Sequence, residues 1–238
     1  MRPLKPFQFK EFAIQQSAAV FRVGTDAVLL GALGLATRSC RGQLLEIGTG
    51  TGVVALMLAQ RFPEAEITAI DVNPEAVALA QLNFQNSPYH LRLKAIEVDF
   101  KAFNPPQRFD FIVCNPPYFE PNASEKDVLA RQKTALDFDD LLQNSARILS
   151  DDGVLSVIIP ADFKTDFERK ASVNKLYLQS EVLIKGIETA SKIKRVILEF
   201  SKQPQSLMTE HFVIEKSPRQ YSDQYLEATR DFHCFKTS

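Results

Sequence analysis

The stretch Leu44–Gly52, which reads Leu-Leu-Glu-Ile-Gly-Thr-Gly-Thr-Gly, decides the fold. Its first four residues form an apolar run around one acid, Glu46, and such a run is typical of a buried strand. Residues 53–61 then show helical spacing, and Pro63 ends the predicted helix. Strand, glycine loop and helix in this order form a nucleotide-binding unit of an open α/β sheet. The glycines let a ligand approach the loop backbone closely, and the start of the helix offers that ligand unpaired backbone N–H groups.

A second predicted strand, Ile67–Asp71, ends in an acid 19 residues after Gly52 (71 − 52 = 19). A carboxylate at that point can accept hydrogen bonds from both hydroxyls of a ribose. The loop has the spacing G-x-G-x-G, whereas a pyrophosphate favours G-x-G-x-x-G. Glu46 would repel a diphosphate but would attract the α-ammonium of a methionine group. The sequence therefore favours S-adenosylmethionine over NAD as cofactor.

A third predicted strand, Leu91–Val98, is followed by Asp99 and Phe100. The carboxylate of Asp99 can accept a hydrogen bond from an adenine amino group, and the Phe100 ring can pack on the adenine. For Phe100 alone, packing in the core is the simpler interpretation.

The apolar run Phe109–Cys114 predicts a fourth buried strand, and Asn115-Pro116-Pro117-Tyr118 ends it. The side-chain oxygen of Asn115 and the carbonyl of Pro116 offer two acceptors for the two N–H bonds of a planar amino group. Accepting both bonds frees the nitrogen lone pair and stabilises the positive charge that grows as the nitrogen attacks an electrophile. Tyr118 offers a flat face for stacking. An ordinary turn is the alternative, because Asn and Pro dominate turns.

The composition is that of an ordinary globular protein of 238 residues, with 45% hydrophobic and 24% charged residues. Three scattered cysteines, Cys40, Cys114 and Cys234, suggest neither a disulfide framework nor a metal site. No apolar stretch approaches the length of a membrane span, and residues 1–6 lack the apolar run that is typical of a signal peptide. We therefore expect a cytoplasmic protein that has no metal and no membrane contact.

Net charge is −1, but the charges are unevenly distributed. Residues 161–202 hold nine basic and six acidic residues (9 − 6 = +3), whereas residues 62–152 hold eight basic and fifteen acidic residues (8 − 15 = −7). Residues 1–24 also carry four basic residues against one acidic residue (4 − 1 = +3). If a polyanion binds, these two basic regions must supply its footprint, and Lys192, Lys194 and Arg195 cluster in the region 161–202. The alternative is that these are ordinary solvated side chains.

The remaining elements fit one domain, residues 1–238, with an amino-terminal cap segment at 1–35 and a core at 36–238. A helix is predicted from Asp26 to Leu35, with Thr25 or Asp26 as N-cap. Residues 178–184, 196–200 and 212–214 are predicted strands, and the short turns between the later ones favour antiparallel pairing. Further helices are predicted from Pro74 to about Asn86, with Asn73 as N-cap, and at 136–149, 162–174 and 221–231.

These residues resemble the class I, Rossmann-like, S-adenosylmethionine-dependent methyltransferases over the whole chain. Within that class, residues 7–12, residues 21–32, the loop Glu46–Gly52 and the tetrad at 115–118 are similar to the tRNA1(Val) adenine-37 N6-methyltransferase family. The resemblance implies an α/β fold with a seven-stranded, mostly parallel sheet, its last strand antiparallel and helices on both faces. It also implies N6-methylation of an adenine in tRNA, at adenosine 37 of tRNA1(Val). Apart from the resemblance, we expect a monomer.

The resemblance further implies roles for individual residues. The cofactor would contact Glu46, Gly48, Thr49, Gly50, Gly52, Asp71, Val72, Asp99, Phe100 and Asn115. Catalysis would depend on Asn115, Pro116 and Tyr118, and the target base would contact Pro117 and Tyr118. The charge distribution, and not the resemblance, adds Lys192, Lys194 and Arg195 as expected RNA contacts.

Three alternatives remain at this point. A glutamine N5-methyltransferase acting on a protein would use the same tetrad on a side-chain amide. Another amino methyltransferase could act on rRNA or DNA. A non-catalytic RNA- or nucleotide-binding module could keep the fold, since fold alone does not imply function.

Overall fold

The computed structural model describes residues 4–116 and 137–234. The strands are β1 (Phe7–Gln8), β2 (Ala13–Ile14), β3 (Gln43–Ile47), β4 (Glu66–Asp71), β5 (Leu93–Glu97), β6 (Phe109–Cys114), β7 (Leu149–Pro160), β8 (Tyr177–Ile187), β9 (Arg195–Ser201), β10 (Met208–Ser217) and β11 (Gln220–Tyr221). The helices are α1 (Thr25–Leu33), α2 (Val53–Arg61), α3 (Pro74–Gln85), α4 (Phe138–Ile148), α5 (Lys164–Val173) and α6 (Asp223–Ala228).

The central sheet has the strand order β11-β10-β8-β9-β7-β6-β3-β4-β5. Within the group of strands β3 to β7, every pair of neighbouring strands is parallel. Strand β9 runs antiparallel to both β7 and β8. The predicted fold is thus confirmed: the seven strands β3 to β9 contain one antiparallel member. Two further strands, β10 and β11, extend the sheet beyond β8.

The predicted antiparallel pairing of residues 212–214 is wrong, because β10 pairs with β8 in parallel. The chain does reverse direction after β9, as the short connection suggests. Both edges of β9 are already paired, with β7 and with β8. Strand β10 must therefore add to the outer edge of β8, where its direction makes it parallel.

The structure confirms the predicted N-cap of helix α3 and contradicts the predicted N-cap of helix α1. Asn73 caps α3 as predicted, because its side-chain oxygen accepts a hydrogen bond from the Glu75 N–H at 3.0 Å. Helix α1 instead begins after Gly24, which makes no side-chain cap. The prediction of Thr25 or Asp26 as N-cap is therefore wrong. The Asp26 carboxylate forms an ion pair with Arg195 at 2.9 Å.

The core lies on both faces of the sheet, and alternate residues of one strand enter opposite halves of it. Leu44 packs into the half covered by α1, α2 and α3, whereas Leu45 and Ile47 pack into the half covered by α4 and α5. This alternation directs the buried side chain of Glu46 toward α2. None of the helices in the described ranges is both long and apolar enough to cross a membrane.

Candidate active site

The glycine loop leaves β3 at the carboxyl edge of the sheet. The backbone N–H groups of Gly48 and Thr49 both donate to the Ile70 carbonyl, at 2.9 and 3.0 Å. Gly52 has φ +79°, and a Cβ there would lie 2.6 Å from the Phe84 ring. Gly48 has φ +72°, and a Cβ there would meet no atom within 4 Å. The loop is therefore packed against α3 at Gly52 and faces open space at Gly48, as a ligand-binding loop requires.

Asp71 connects the end of β4 to this loop. Its Oδ2 accepts a hydrogen bond from the Gly50 N–H at 3.0 Å, and its Oδ1 accepts one from the Asn73 N–H at 2.9 Å. A carboxylate has about four acceptor sites, so each oxygen can still accept a ribose hydroxyl. The predicted contact with ribose stays a prediction, and the structure adds a role in holding the loop.

Glu46 lies behind the loop, with 3% of its surface exposed. Its Oε2 accepts hydrogen bonds from the Thr49 hydroxyl at 2.7 Å and from the Ala55 N–H at 3.2 Å. Burial raises the pKa of Glu46 to about 8, against the effect of these two bonds, and the charge of Asp71 raises it further. A cation bound nearby would favour the charged carboxylate. The electrostatics therefore suit a positively charged ligand.

Asn83 on α3 is a site residue that the sequence analysis missed. It is completely buried and donates through Nδ2 to the carbonyls of Thr51 at 2.9 Å and Gln15 at 3.2 Å. Its Oδ1 accepts a hydrogen bond from the Gln15 N–H at 2.8 Å. Asn83 therefore connects the amino-terminal segment to the glycine loop. An Asn beside Phe84 on the inner face of a predicted helix was the available signal.

Asn115 and Pro116 follow β6 directly beside this loop. Ile47 of β3 is paired with Cys114 of β6, so both chains leave the sheet at the same level. Adjacent strands are about 4.8 Å apart, and this spacing brings Asn115 close to Gly48. Asn115 is half-buried and Pro116 is buried. Pro117 and Tyr118, which were also predicted to bind the target, lie outside the described residues.

The predicted adenine contacts lie around the end of β4. The Val98 N–H donates to the Asp71 carbonyl at 3.0 Å, which brings Asp99 to the same edge. Asp99 accepts a hydrogen bond from the Lys101 N–H at 2.9 Å. Phe100 is buried in the core with Ile47 and Ile70, whereas Val72 is 49% exposed. Val72 thus offers accessible apolar surface at this position, whereas Phe100 is packed in the core.

Lys192, Lys194 and Arg195 lie at the same edge, because the antiparallel strand β9 begins where its neighbours end. Arg195 is paired with Pro160, the last residue of β7. Lys192 forms an exposed ion pair with Asp162 at 3.1 Å, and Lys194 is exposed. Arg195 is largely buried and binds Asp26. The structure brings all three predicted RNA contacts to the site edge, with Arg195 engaged in connecting β9 to α1.

Solved structures similar to this chain support the fold. A "predicted O-methyltransferase" from Agrobacterium tumefaciens matches with a TM-score of 0.68 and 17% identity, covering 87% of this chain and 96% of that one. The glycopeptide N-methyltransferase MtfA, complexed with S-adenosylmethionine, matches with a TM-score of 0.55 and 15% identity, covering 77% of this chain and 90% of that one.

Proteins found by sequence similarity are much more similar to this chain than the solved structures are. The family model described as "Methyltransferase small domain" matches residues 16–185. A protein of Flavobacteriaceae bacterium (strain 3519-10), named tRNA1(Val) (adenine(37)-N6)-methyltransferase, is 50% identical over 234 residues, which are 98% of this chain and 100% of that protein. Proteins of the same name from Flavobacterium psychrophilum (38% identical, 95% of this chain and 98% of that protein) and Vibrio parahaemolyticus (37% identical, 96% and 95%) also match. The chain belongs to the tRNA1(Val) (adenine(37)-N6)-methyltransferase family.

Proposed function

We propose that this protein transfers a methyl group from S-adenosylmethionine to the N6 nitrogen of adenosine 37 in tRNA1(Val). The observation that carries this proposal is the 50% identity to a relative of that name over essentially the whole of both chains. The site geometry agrees with it, because a loop suited to the cofactor adjoins two acceptors suited to an amino group. No observation favours a protein, rRNA or DNA substrate over tRNA.

The glycine loop and its neighbours fit the proposed cofactor. Bound S-adenosylmethionine supplies an activated methyl group on a positively charged sulfur. The open face of Gly48 provides space for its methionine portion. The buried Glu46 would lose its proton when the α-ammonium binds and would then provide the opposite charge. Asp71 would accept from the ribose, while Val72 and Asp99 would contact the adenine. Thr49, Gly50 and Gly52 would shape the loop that surrounds these groups.

Asn115 and Pro116 would act on the target base. Their two oxygens would accept the two N–H bonds of the adenine amino group. This arrangement withdraws the nitrogen lone pair from the ring and aims it at the methyl group. The same acceptors stabilise the positive charge that develops on nitrogen, and the excess proton then leaves to solvent. Pro117 and Tyr118 would complete the pocket.

The target adenosine must leave its stack to reach this pocket, at a cost of a few kcal/mol that is smaller in a loop than in a duplex. The tRNA backbone would then lie along the edge that carries Lys192 and Lys194. Arg195 would contribute charge while holding β9 to α1. We also infer that residues 1–238 form one domain. Two hydrogen bonds connect the cap segment to the core. The Gln15 N–H donates to the Asn83 side chain, and the Lys10 N–H donates to the Phe232 carbonyl at 2.8 Å.

The test is methyl transfer from labelled S-adenosylmethionine into tRNA from a strain that lacks this protein. Nucleoside analysis should find the label in N6-methyladenosine, and fragment mapping should place it at position 37 of tRNA1(Val). The Asn115→Ala variant is the control for contaminating activity. Label found only in rRNA, DNA or protein would overturn the tRNA substrate, and the absence of any transfer would overturn the enzymatic function.

A further inference from the structure

The segment from Val20 to Asp26 is held at both of its ends to the edge of the sheet that carries the candidate site. At one end, a side-chain atom of Val20 lies 3.9 Å from the Cβ position of Gly50, and Val20 is buried. At the other end, the Asp26 carboxylate forms its ion pair with Arg195 at 2.9 Å. The first anchor lies on the loop that follows β3, and the second lies at the start of β9.

These two anchors leave the backbone between them little freedom. Three strand spacings separate β3 from β9, or about 14 Å, whereas six residues span at most about 20 Å. Gln16 adds a third support, because its Oε1 accepts a hydrogen bond from the Val23 N–H at 3.3 Å. Its Nε2 donates to the Lys5 carbonyl at 3.0 Å. The segment therefore follows the carboxyl edge of the sheet from the glycine loop to β9, along a fixed course.

Arg22 is the cation that this segment presents. It is exposed, and its side chain forms no hydrogen bond or ion pair with the residues in 4–116 and 137–234. By contrast, two other cations at this edge already have carboxylate partners: Arg195 is paired with Asp26, and Lys192 with Asp162. Arg22 therefore adds a positive charge to the rim of the site that no carboxylate of these ranges neutralises.

A phosphate of the RNA backbone fits this charge. A target adenine enters the pocket with its amino group leading, so its ribose and the adjacent phosphates stay at the rim. A guanidinium binds a phosphate through two parallel N–H bonds. The fixed backbone around Arg22 also lowers the cost of ordering on binding. We propose that Arg22 binds a phosphate next to the target nucleotide, so that the segment lying against the glycine loop also positions the RNA.

This inference rests on the proposed function, and two separate measurements distinguish their failures. Methyl transfer by the wild-type protein tests the function. RNA binding by Arg22 variants, measured without S-adenosylmethionine, tests the inference.

The experiment compares Arg22→Ala and Arg22→Lys in binding to the anticodon stem-loop of tRNA1(Val) over a series of salt concentrations. Loss of one charged contact should raise the RNA Kd of Arg22→Ala by roughly tenfold and lower the slope of log K against log salt by about 1. Arg22→Lys should keep the wild-type slope, because it keeps the charge. The matched control is Arg41→Ala, which removes an exposed arginine just before β3, at the opposite edge of the sheet. It should leave both quantities unchanged.

A second measurement identifies the phosphate. Stem-loops that carry one uncharged methylphosphonate should bind wild-type protein more weakly when the modification lies next to the target nucleotide. For Arg22→Ala, the same modification should cost nothing further, because the contact is already lost. Additive losses at every position would overturn the inference, as would an unchanged Kd and salt slope in Arg22→Ala. An equal loss of S-adenosylmethionine affinity would also overturn it, since Arg22 would then act by shaping the glycine loop.

Discussion

Asp71 accepts a hydrogen bond from the backbone N–H of Gly50 at 3.0 Å, and this bond joins the end of β4 to the loop that follows β3. A second bond, from the Asn73 N–H at 2.9 Å, fixes the other carboxylate oxygen. The residue that the sequence assigns to the ribose therefore also shapes the loop around the methionine portion. The binding of both the ribose and the methionine portion of the cofactor would therefore depend on the Asp71 carboxylate.

We expect Asp71→Ala to lower both stability and cofactor affinity. Removing the carboxylate leaves two backbone N–H groups without their acceptor, so the free energy of unfolding should fall by roughly 1–3 kcal/mol. The Kd for S-adenosylmethionine should rise tenfold or more. Urea denaturation and calorimetric titration measure the two effects. The matched control is Asp110→Ala, which also removes an acceptor of a backbone N–H, that of Gln43 at 2.9 Å, and should leave the Kd unchanged. Full stability in Asp71→Ala would contradict the role in holding the loop.

Glu46 should make the stability of the ligand-free protein depend on pH. Its pKa is raised from 4.5 to about 8, so the folded protein keeps a proton that the unfolded chain releases between these values. The contribution of Glu46 to stability is therefore complete below about pH 4.5 and is lost as the pH rises toward 8. Glu46→Gln, which cannot titrate, should show a flatter decline in the free energy of unfolding between about pH 5 and pH 8.

The control for this measurement is Glu66→Gln, which changes an exposed acid at the start of β4 and should keep the wild-type slope. Saturating S-adenosylmethionine should also flatten the slope of the wild type, because the cation favours the ionised carboxylate. Equal slopes in wild type and Glu46→Gln would show that Glu46 titrates normally in the folded protein.

Asn115→Ala should separate catalysis from binding. Loss of one acceptor that acts in the transition state should lower kcat by roughly 10²–10³. The Kd for S-adenosylmethionine should change little, because the glycine loop keeps its hydrogen bonds. Single-turnover methyl transfer gives the rate, and Asn86→Ala, at the exposed end of α3, is the control. An unaltered rate would remove Asn115 from the mechanism.

Asn83→Ala should loosen the amino-terminal segment. The substitution removes three hydrogen bonds and leaves the Gln15 N–H without its acceptor, which should cost about 2 kcal/mol of unfolding free energy. Amide exchange at Gln15 should become faster than in wild type. Gln85→Ala, at an exposed position of the same helix, should change neither quantity. Unchanged exchange at Gln15 would mean that other contacts suffice to hold the segment.

Reversing the charge of Lys192 and Lys194 together should weaken RNA binding and lower the slope of log K against log salt by about 1–2. The double variant keeps the Arg195 ion pair with Asp26 and breaks only the exposed pair of Lys192 with Asp162, so the free energy of unfolding should fall by no more than about 1 kcal/mol. Lys94→Glu, on the exposed side of β5, is the control. Binding with an unchanged salt slope would place the RNA backbone on a different surface.

Much of the fold followed from local patterns. The helix at 53–61 was predicted with its observed bounds, and the strand at 67–71 was predicted to within one residue of β4. Alternating and helical spacing, glycine and proline are properties of neighbouring residues, so they can be recognised without knowing the fold. The start of α1 was missed because Asp26, a good capping residue, is engaged by Arg195, 169 residues away in the chain.

By itself, the sequence determined the strand–loop–helix unit, the acid at the end of β4 and the Asn-Pro pair after β6. Each of these is a short run of residues, and its chemistry can be recognised from neighbouring residues alone. Only the tertiary structure decided that Asp71 holds Gly50, that Asn83 bonds Gln15 across 68 positions, and that β10 pairs with β8. These depend on which surfaces remain unpaired once the sheet has formed. A buried polar group forms hydrogen bonds with the groups that tertiary packing places next to it, and no local sequence pattern specifies which groups these are.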